Sequence, residues 1–337
     1  MIWARAEGSR VWDADGREYL DLSAGFGVAA LGHRNGRVME AIARAPVAHA
    51  LGDLADGEVT AELRSSLPWP SKLGVTGADA VEIGLRTALL VTGRRGIVAF
   101  DGAYHGTSLL PLAATGFERF REPFAAWLPG LVYRRPFGED PGELPADAAC
   151  VIVEPVQGRA GARVPPDGFL ETLRRRCDES GALLVVDAVY TGVGRIGVLW
   201  PGSDVADVLC VGKALGGGLP LSAALFVREE LEHAWELGPE DVFTHTHAGN
   251  PLACAAALVV LEEVPRLLDR VRAAGERFER DGWRGVGLLR ARPGDAAEAE
   301  RRGVIVIPAG EDRSLVCATP PLTITDDEID EALMRLS

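Results

Sequence analysis

Lysine is scarce in this chain, and arginine carries nearly all of its positive charge. Acids outnumber bases, giving a formal net charge of −14 at pH 7 over 337 residues. That balance argues against a nucleic-acid surface, which needs clustered Lys and Arg opposite phosphates. It leaves room for a local cationic pocket. Long apolar runs are missing: none approaches the ~20 residues needed to cross a bilayer. No membrane partner is therefore expected. The opening MIWARAEGSR lacks the apolar core of a secretion signal. Cysteine is sparse as well. Cys150, Cys177, Cys210, Cys254 and Cys317 are odd in number and form no CxxC pair. Most sit in apolar segments and read as buried, reduced thiols, so no metal site is expected. A reducing, cytoplasmic home follows as an expectation.

What is present is ordinary globular material, 47% hydrophobic and 25% charged. The length suits one large and one smaller domain. Val11–Asp21 predicts a hairpin turning at Asp15-Gly16. Val38–Ala45 predicts a short helix ended by Pro46. Asp79–Leu90 has helical spacing and a plausible start at Thr76-Gly77-Ala78. Gly168–Ser180 reads as an amphipathic helix, and Asn250–Leu268 as a long Ala/Leu helix opened by Pro251. Short strands and a closing helix, Asp326–Ser337, complete the chain, with acids in that helix's first turn.

Four apolar runs predict buried strands: Ile97–Phe100, Cys150–Glu154, Leu183–Asp187 and Val208–Gly212. Apolar strands alternating with helices predict an α/β fold with a mostly parallel sheet covered on both faces. Such sheets bind ligands beyond the carboxyl ends of their strands. Glu154, Asp187 and Lys213 all fall there. The stretch LCVGKALGGGLPLS sets Lys213 between a strand end and three glycines. Glycines let the backbone turn tightly or approach a ligand closely. Desolvation there would lower the amine pKa and make it nucleophilic. The plainer reading is a solvated lysine in a flexible loop.

A Schiff-base cofactor such as pyridoxal phosphate needs an amine, a carboxylate at its ring nitrogen, a phosphate cradle and something flat against its ring. This chain offers a candidate for each. Its ordered motifs resemble the class III pyridoxal-phosphate aminotransferases, the family of ornithine, acetylornithine and 4-aminobutyrate transaminases. The resemblance runs from Val11-Trp12-Asp13-Ala14-Asp15-Gly16 to Pro320-Pro321-Leu322-Thr323-Ile324 and covers nearly the whole chain. It implies the fold type I architecture. Pyridoxal 5'-phosphate would be the cofactor and Lys213 the Schiff-base lysine and proton carrier. The resemblance makes Asp187, in VVDAVYTGVGRIG, the partner of the pyridine nitrogen. Gly77 and Ala78, in VTGADAVE, match the phosphate loop, and a helix N-terminus suits a phosphate on physical grounds too. Tyr104, in FDGAYHGTS, matches the aromatic stacked on the ring, with Val189 on the opposite face. His105 beside Tyr104 reads as cofactor-adjacent and structural rather than catalytic. Glu154 and Gln157 match positions lining the pocket. Thr246, in THTHAGNP, matches a threonine that reaches the phosphate of a neighbouring subunit's cofactor, which implies a homodimer with shared active sites.

The departures from the family bear on substrate. Where many members read Gln-Gly-Glu, this chain reads Gln157-Gly158-Arg159. The arginine that the family glutamate pairs with is here Cys317, in LVCATPPL. A further carboxylate-binding arginine of the acetylornithine type is here Thr107. A transaminase handling amino acids or 2-oxo acids still needs a cation. Arg159 is the candidate; the alternative is an outward surface charge. Tyr190 replaces a frequent glutamine near the cofactor hydroxyl, and Ala188 a frequent glutamate. The regions around Ala48–Leu73 and Gly285–Arg302 look abbreviated.

The resemblance implies three parts: residues 1–45 as the N-terminal segment of a small domain, 46–248 as a large cofactor-binding domain, and 249–337 as an interdomain helix plus the rest of the small domain. It implies a ping-pong transfer of an amino group from an amine or amino acid to a 2-oxo acid or aldehyde. A racemase or aminomutase of the same fold is an alternative, since fold does not fix chemistry. A degenerate, non-catalytic homologue is another.

Overall fold

The computed structural model describes residues 2–50, 55–238 and 242–337. Residues 51–54, inside the Ala48–Leu73 region, lie outside the described residues. Seven strands form the central sheet: β1 (Ser71–Gly74), β2 (Gly96–Phe100), β3 (Val132–Arg135), β4 (Ala148–Val153), β5 (Leu183–Asp187), β6 (Val208–Val211) and β7 (Ser222–Phe226). Their spatial order is β1-β7-β6-β5-β4-β2-β3. From β6 to β3 every neighbouring pair is parallel. Only β7 runs against its neighbours β6 and β1. All four apolar runs are strands of this sheet, shifted by a residue or two at their ends.

Every residue of β2, β4, β5, β6 and β7 is buried. Runs such as Ala148–Val153 therefore carry no polar face, because helices cover the sheet on both sides. Parallel pairing also fixes polarity: the carboxyl ends of β4, β5 and β6 open at one edge. Glu154 follows β4, Asp187 ends β5, and Lys213 comes two residues after β6. One topological fact thus gathers three polar side chains from distant sequence.

The helix Gly77–Thr92 begins at that edge, with a capping box. Thr76 Oγ1 accepts from the Asp79 N–H, while the Asp79 carboxylate accepts from the Val75 and Thr76 N–H groups. The helix stops at Gly93, which adopts the left-handed conformation. The expected long helix Asn250–Leu268 ends earlier, at Glu263. Pro265, with no N–H to give, lies in the tighter turn Val264–Leu267, and a second helix runs Leu268–Arg280.

Both chain ends build smaller sheets. Trp3–Glu7, Arg10–Asp13 and Glu18–Asp21 form a meander, turning at Asp15-Gly16, that pairs in parallel with Val304–Ile305. A second, antiparallel sheet joins Arg284–Val286, Leu289–Pro293, Leu315–Ala318 and Ile307–Ala309. The closing helix Asp326–Leu336 starts with its own capping box, Thr325 with Glu328. Among the described residues no helix is long and apolar enough to cross a membrane. All five cysteines are buried and unpaired.

Candidate active site

Beyond the carboxyl ends of β4, β5 and β6 lies a cleft of about 550 Å³. Its lining includes Gly77, Ala78, Tyr104, His105, Glu154, Arg159, Asp187, Val189 and Lys213. Of the residues read in the sequence as holding or lining the cofactor pocket, Thr246 and Gln157 are absent from this lining. Thr246 is exposed, outside the cleft. Gln157 is fully buried and donates to the Asp101 carbonyl at 2.9 Å, so it anchors a turn instead of facing ligand.

Lys213 opens a short 3-10 turn with φ +35°, a backbone conformation unusual for a side chain with a Cβ. The tight turn aims its amine into the cleft. Nζ sits 4.2 Å from the centroid of the Tyr190 ring. Burial pulls the Lys213 pKa down to about 8, against the opposing pull of Asp187 and Glu154. Arg159 pushes it the same way as burial.

Asp187 is 4% exposed. Its Oδ2 lies 2.7 Å from His105 Nδ1, and its Oδ1 accepts from the Val189 N–H at 3.0 Å. His105 is buried with it, held by its own N–H on Thr115 Oγ1, while its Nε2 has no hydrogen-bond partner. Glu154 accepts from the Tyr104 N–H at 2.9 Å. Burial, and then the Asp187 charge, raise the Glu154 carboxyl well above its ordinary value. Burial thus disfavours the charged form of Glu154, whose carboxyl fixes the Tyr104 backbone.

The cradle at the N-terminus of Gly77–Thr92 demands small residues. A Cβ on Gly77 would lie 2.5 Å from Val189 Cγ1, and one on Gly106 2.7 Å from Ala78 Cβ. The first N–H groups of the helix take no intrahelical partner. A doubly charged phosphate suits that end of the dipole. With an amine, a buried carboxylate and an apolar slot beside Val189 and Tyr104, the residues fit pyridoxal phosphate.

The remaining wall is aromatic. The Arg159 guanidinium carbon lies 5.2 Å from the Tyr104 ring centroid, 5.7 Å from Phe26 and 5.9 Å from Phe120. Arg159 is half-buried, and its Nε is buried without a hydrogen-bond partner. Thr107 lines the cleft, while Cys317 is buried behind it in an apolar cluster with Val156 and Tyr190. The Tyr190 hydroxyl turns away to Thr319, 3.4 Å distant, so its ring and not its OH faces Lys213. Space for that ring comes from two glycines: a Cβ on Gly158 would lie 2.4 Å from Tyr190 and one on Gly27 3.1 Å. Phe26 and Phe120 went unnoticed in the sequence. Neither carries a motif, and each comes from a four-residue helix with no periodicity to read.

The chain belongs to the class III aminotransferases, whose family model matches residues 1–281. It is a pyridoxal-phosphate-dependent enzyme that moves amino groups, with the fold of that cofactor's transaminases. Acetylornithine aminotransferase of Methanopyrus kandleri is 38% identical over 368 aligned residues, spanning 98% of this chain and 92% of the relative. The 5-aminovalerate aminotransferase of Pseudomonas aeruginosa is 32% identical, spanning 100% of this chain and 92% of that one. Among solved structures, an amine transaminase from an uncultivated Pseudomonas species, bound to pyridoxal phosphate, superposes with a TM-score of 0.89. It is 27% identical, with 100% of this chain and 93% of that chain covered.

Proposed function

We propose that Lys213 is the lysine that holds the cofactor, and that Arg159 receives the carboxylate of an acid-bearing amine or of the oxo acid that takes the amino group. When bound, pyridoxal phosphate supplies the electron sink that lets a C–H beside nitrogen lose its proton. Every other task falls to side chains of this chain. Asp187, held by His105 and the Val189 N–H, presents its carboxylate toward the ring nitrogen. Gly77 and Ala78 offer N–H groups to the phosphate. Tyr104 and Val189 bound the flat slot from opposite faces. Lys213, its pKa pulled down to about 8, takes and returns the proton at the reacting carbon.

The carrying observation is the setting of Arg159. It is a cation on an aromatic wall, inside the cleft, at the position where the family resemblance implies a glutamate. Guanidinium faces pack on rings while the in-plane N–H groups stay available, which suits a bidentate carboxylate. Substrate names among the relatives support an acid group: acetylornithine and 5-aminovalerate each combine an amine with a distant carboxylate. Putrescine, named for a relative from Pectobacterium atrosepticum, has none. The test is absorbance titration of the cofactor-loaded enzyme with N-acetylornithine, 5-aminovalerate, ornithine and putrescine, in wild type and Arg159→Gln. A loss of affinity confined to the acids supports the reading; equal affinities in both proteins overturn it.

We also infer a homodimer in which Thr246, exposed and outside its own cleft, serves the partner's phosphate. The reading of residues 46–248 as the cofactor domain, with residues 1–45 and 249–337 as the smaller unit and its linking helix, is carried forward with it. The five unpaired thiols support a reducing, cytoplasmic setting.

A further inference from the structure

Phe120 closes one side of the aromatic seat under Arg159, yet it stands on Glu118–Arg121, a helix of four residues. A single turn cannot hold itself in place. Its anchor is Arg119, the neighbour of Phe120. The Arg119 guanidinium donates to the Gly310 carbonyl at 3.2 Å and to the Glu311 carbonyl, with the Glu311 carboxylate 3.9 Å away. It also lies 4.8 Å from the Phe117 ring centroid and 5.0 Å from that of Phe120. Gly310 links the two arginines. Its carbonyl takes the Arg119 side chain, and its N–H donates to the Arg159 carbonyl at 2.9 Å. Gly310 has φ +84°, which a residue with a Cβ adopts only with strain. The Arg119 and Arg159 guanidinium carbons thus lie 5.0 and 5.9 Å from the Phe120 ring centroid, which is 5.4 Å from that of Tyr104.

We propose that Arg119, through Gly310, is a positioning residue for carboxylate selection. It holds the Phe120 wall and the Arg159 backbone in register, so that the Arg159 guanidinium meets an incoming carboxylate in one orientation. This rests on the reading of Arg159 as the carboxylate site. The latch spans the chain: Arg119 lies in the large central part, Gly310 between the strands Ile307–Ala309 and Leu315–Ala318. A residue that merely tied the surface together would affect charged and neutral ligands alike. A positioning residue affects the charged ones.

The experiment titrates the pyridoxal-phosphate-loaded enzyme by calorimetry with butyrate and, as the uncharged match, butyramide. Wild type is expected to prefer butyrate, and Arg159→Gln to erase the preference. Arg119→Ala should shrink the preference about tenfold, as a displaced but intact binding group does, while the cofactor absorbance band keeps its height. Arg119→Lys should recover part of it, since an ammonium still reaches a carbonyl. Gly310→Ala approaches the same link from the other side and should act in the same direction. If Arg159→Gln erases the preference while Arg119→Ala and Gly310→Ala keep it, the latch is overturned and the Arg159 reading stands. If the two Arg119 and Gly310 variants weaken butyrate and butyramide equally, the role is structural and the proposal fails. If wild type shows no preference, or Arg159→Gln retains it, the Arg159 reading fails and takes the latch with it.

Discussion

Lys213 shows how a fold can shift the chemistry of an ordinary side chain. An amine with an ordinary pKa is well under 1% neutral at pH 8. With its pKa pulled down to about 8 by burial, Lys213 is about half neutral there. The direction matters: only the neutral amine attacks an aldehyde, so uptake of pyridoxal phosphate by the apoenzyme should accelerate as pH rises through about 8 and then level off. Stopped-flow absorbance measures this; a rate still climbing steeply past pH 10 would mean an ordinary lysine. The chain holds only two lysines, Lys72 and Lys213. Borohydride reduction of the loaded enzyme should therefore label the peptide containing Lys213 and spare the one containing Lys72, as peptide mass mapping would read.

At the scale of elements, the helix Gly77–Thr92 would serve both stability and, on the proposed reading, cofactor binding, and mutation should separate the two. Thr76→Ala removes one half of a capping box and should cost about 1 kcal/mol, read from a denaturant midpoint. Gly77→Ala sets a methyl against Val189 and should weaken pyridoxal phosphate by about tenfold in absorbance titration, with a smaller change in the midpoint. Much of this element was legible beforehand. Thr76-Gly77-Ala78 before an apolar periodic run announces a helix start, and an apolar run ending in a lone charge announces a strand end. Asp187 and Lys213 were legible for the same local reason. The break at Pro265 was missed because the apolar pattern continues across it. Gln157 was misread because sequence spacing does not say which way a turn residue faces. The aromatic seat under Arg159 was illegible: Phe26, Tyr104 and Phe120 come from three segments, and only the packed chain brings them to one guanidinium.

At the scale of the molecule, buried polar links tie distant segments. Arg195 is fully buried, and its pKa is pulled down to about 10 by burial. Its Nη1 donates to the Leu288 and Pro320 carbonyls, joining the loop after β5 to the C-terminal strands. Arg195→Leu leaves those carbonyls without this donor and should cost roughly 2–3 kcal/mol in denaturant unfolding. The proposed dimer has its own test. A Lys213→Ala subunit keeps Thr246, and a Thr246→Ala subunit keeps Lys213, so a hybrid of the two rebuilds one complete site. Random exchange makes half of all dimers hybrids, so about a quarter of all sites should bind cofactor with wild-type affinity. Recovery of none would place Thr246 in its own subunit's chemistry, and wild-type affinity in Thr246→Ala alone would give it no role.

The five buried thiols lead elsewhere. Burial raises the pKa values of all of them, Cys254 to about 11 and Cys177 and Cys317 to about 12. Cys150 and Cys210 lie in the central sheet, Cys177 in a helix packed on it, Cys254 in the helix Pro251–Glu263 packed on the helices Gly36–Arg44 and Glu58–Ser66, and Cys317 in a C-terminal strand. A thiol-reactive dye would find nothing to label in the native protein and could reach each sulfur only when its own layer opens. The order in which the five become reactive as denaturant rises would thus chart which layer of the enzyme loosens first, with no probe engineered into the chain.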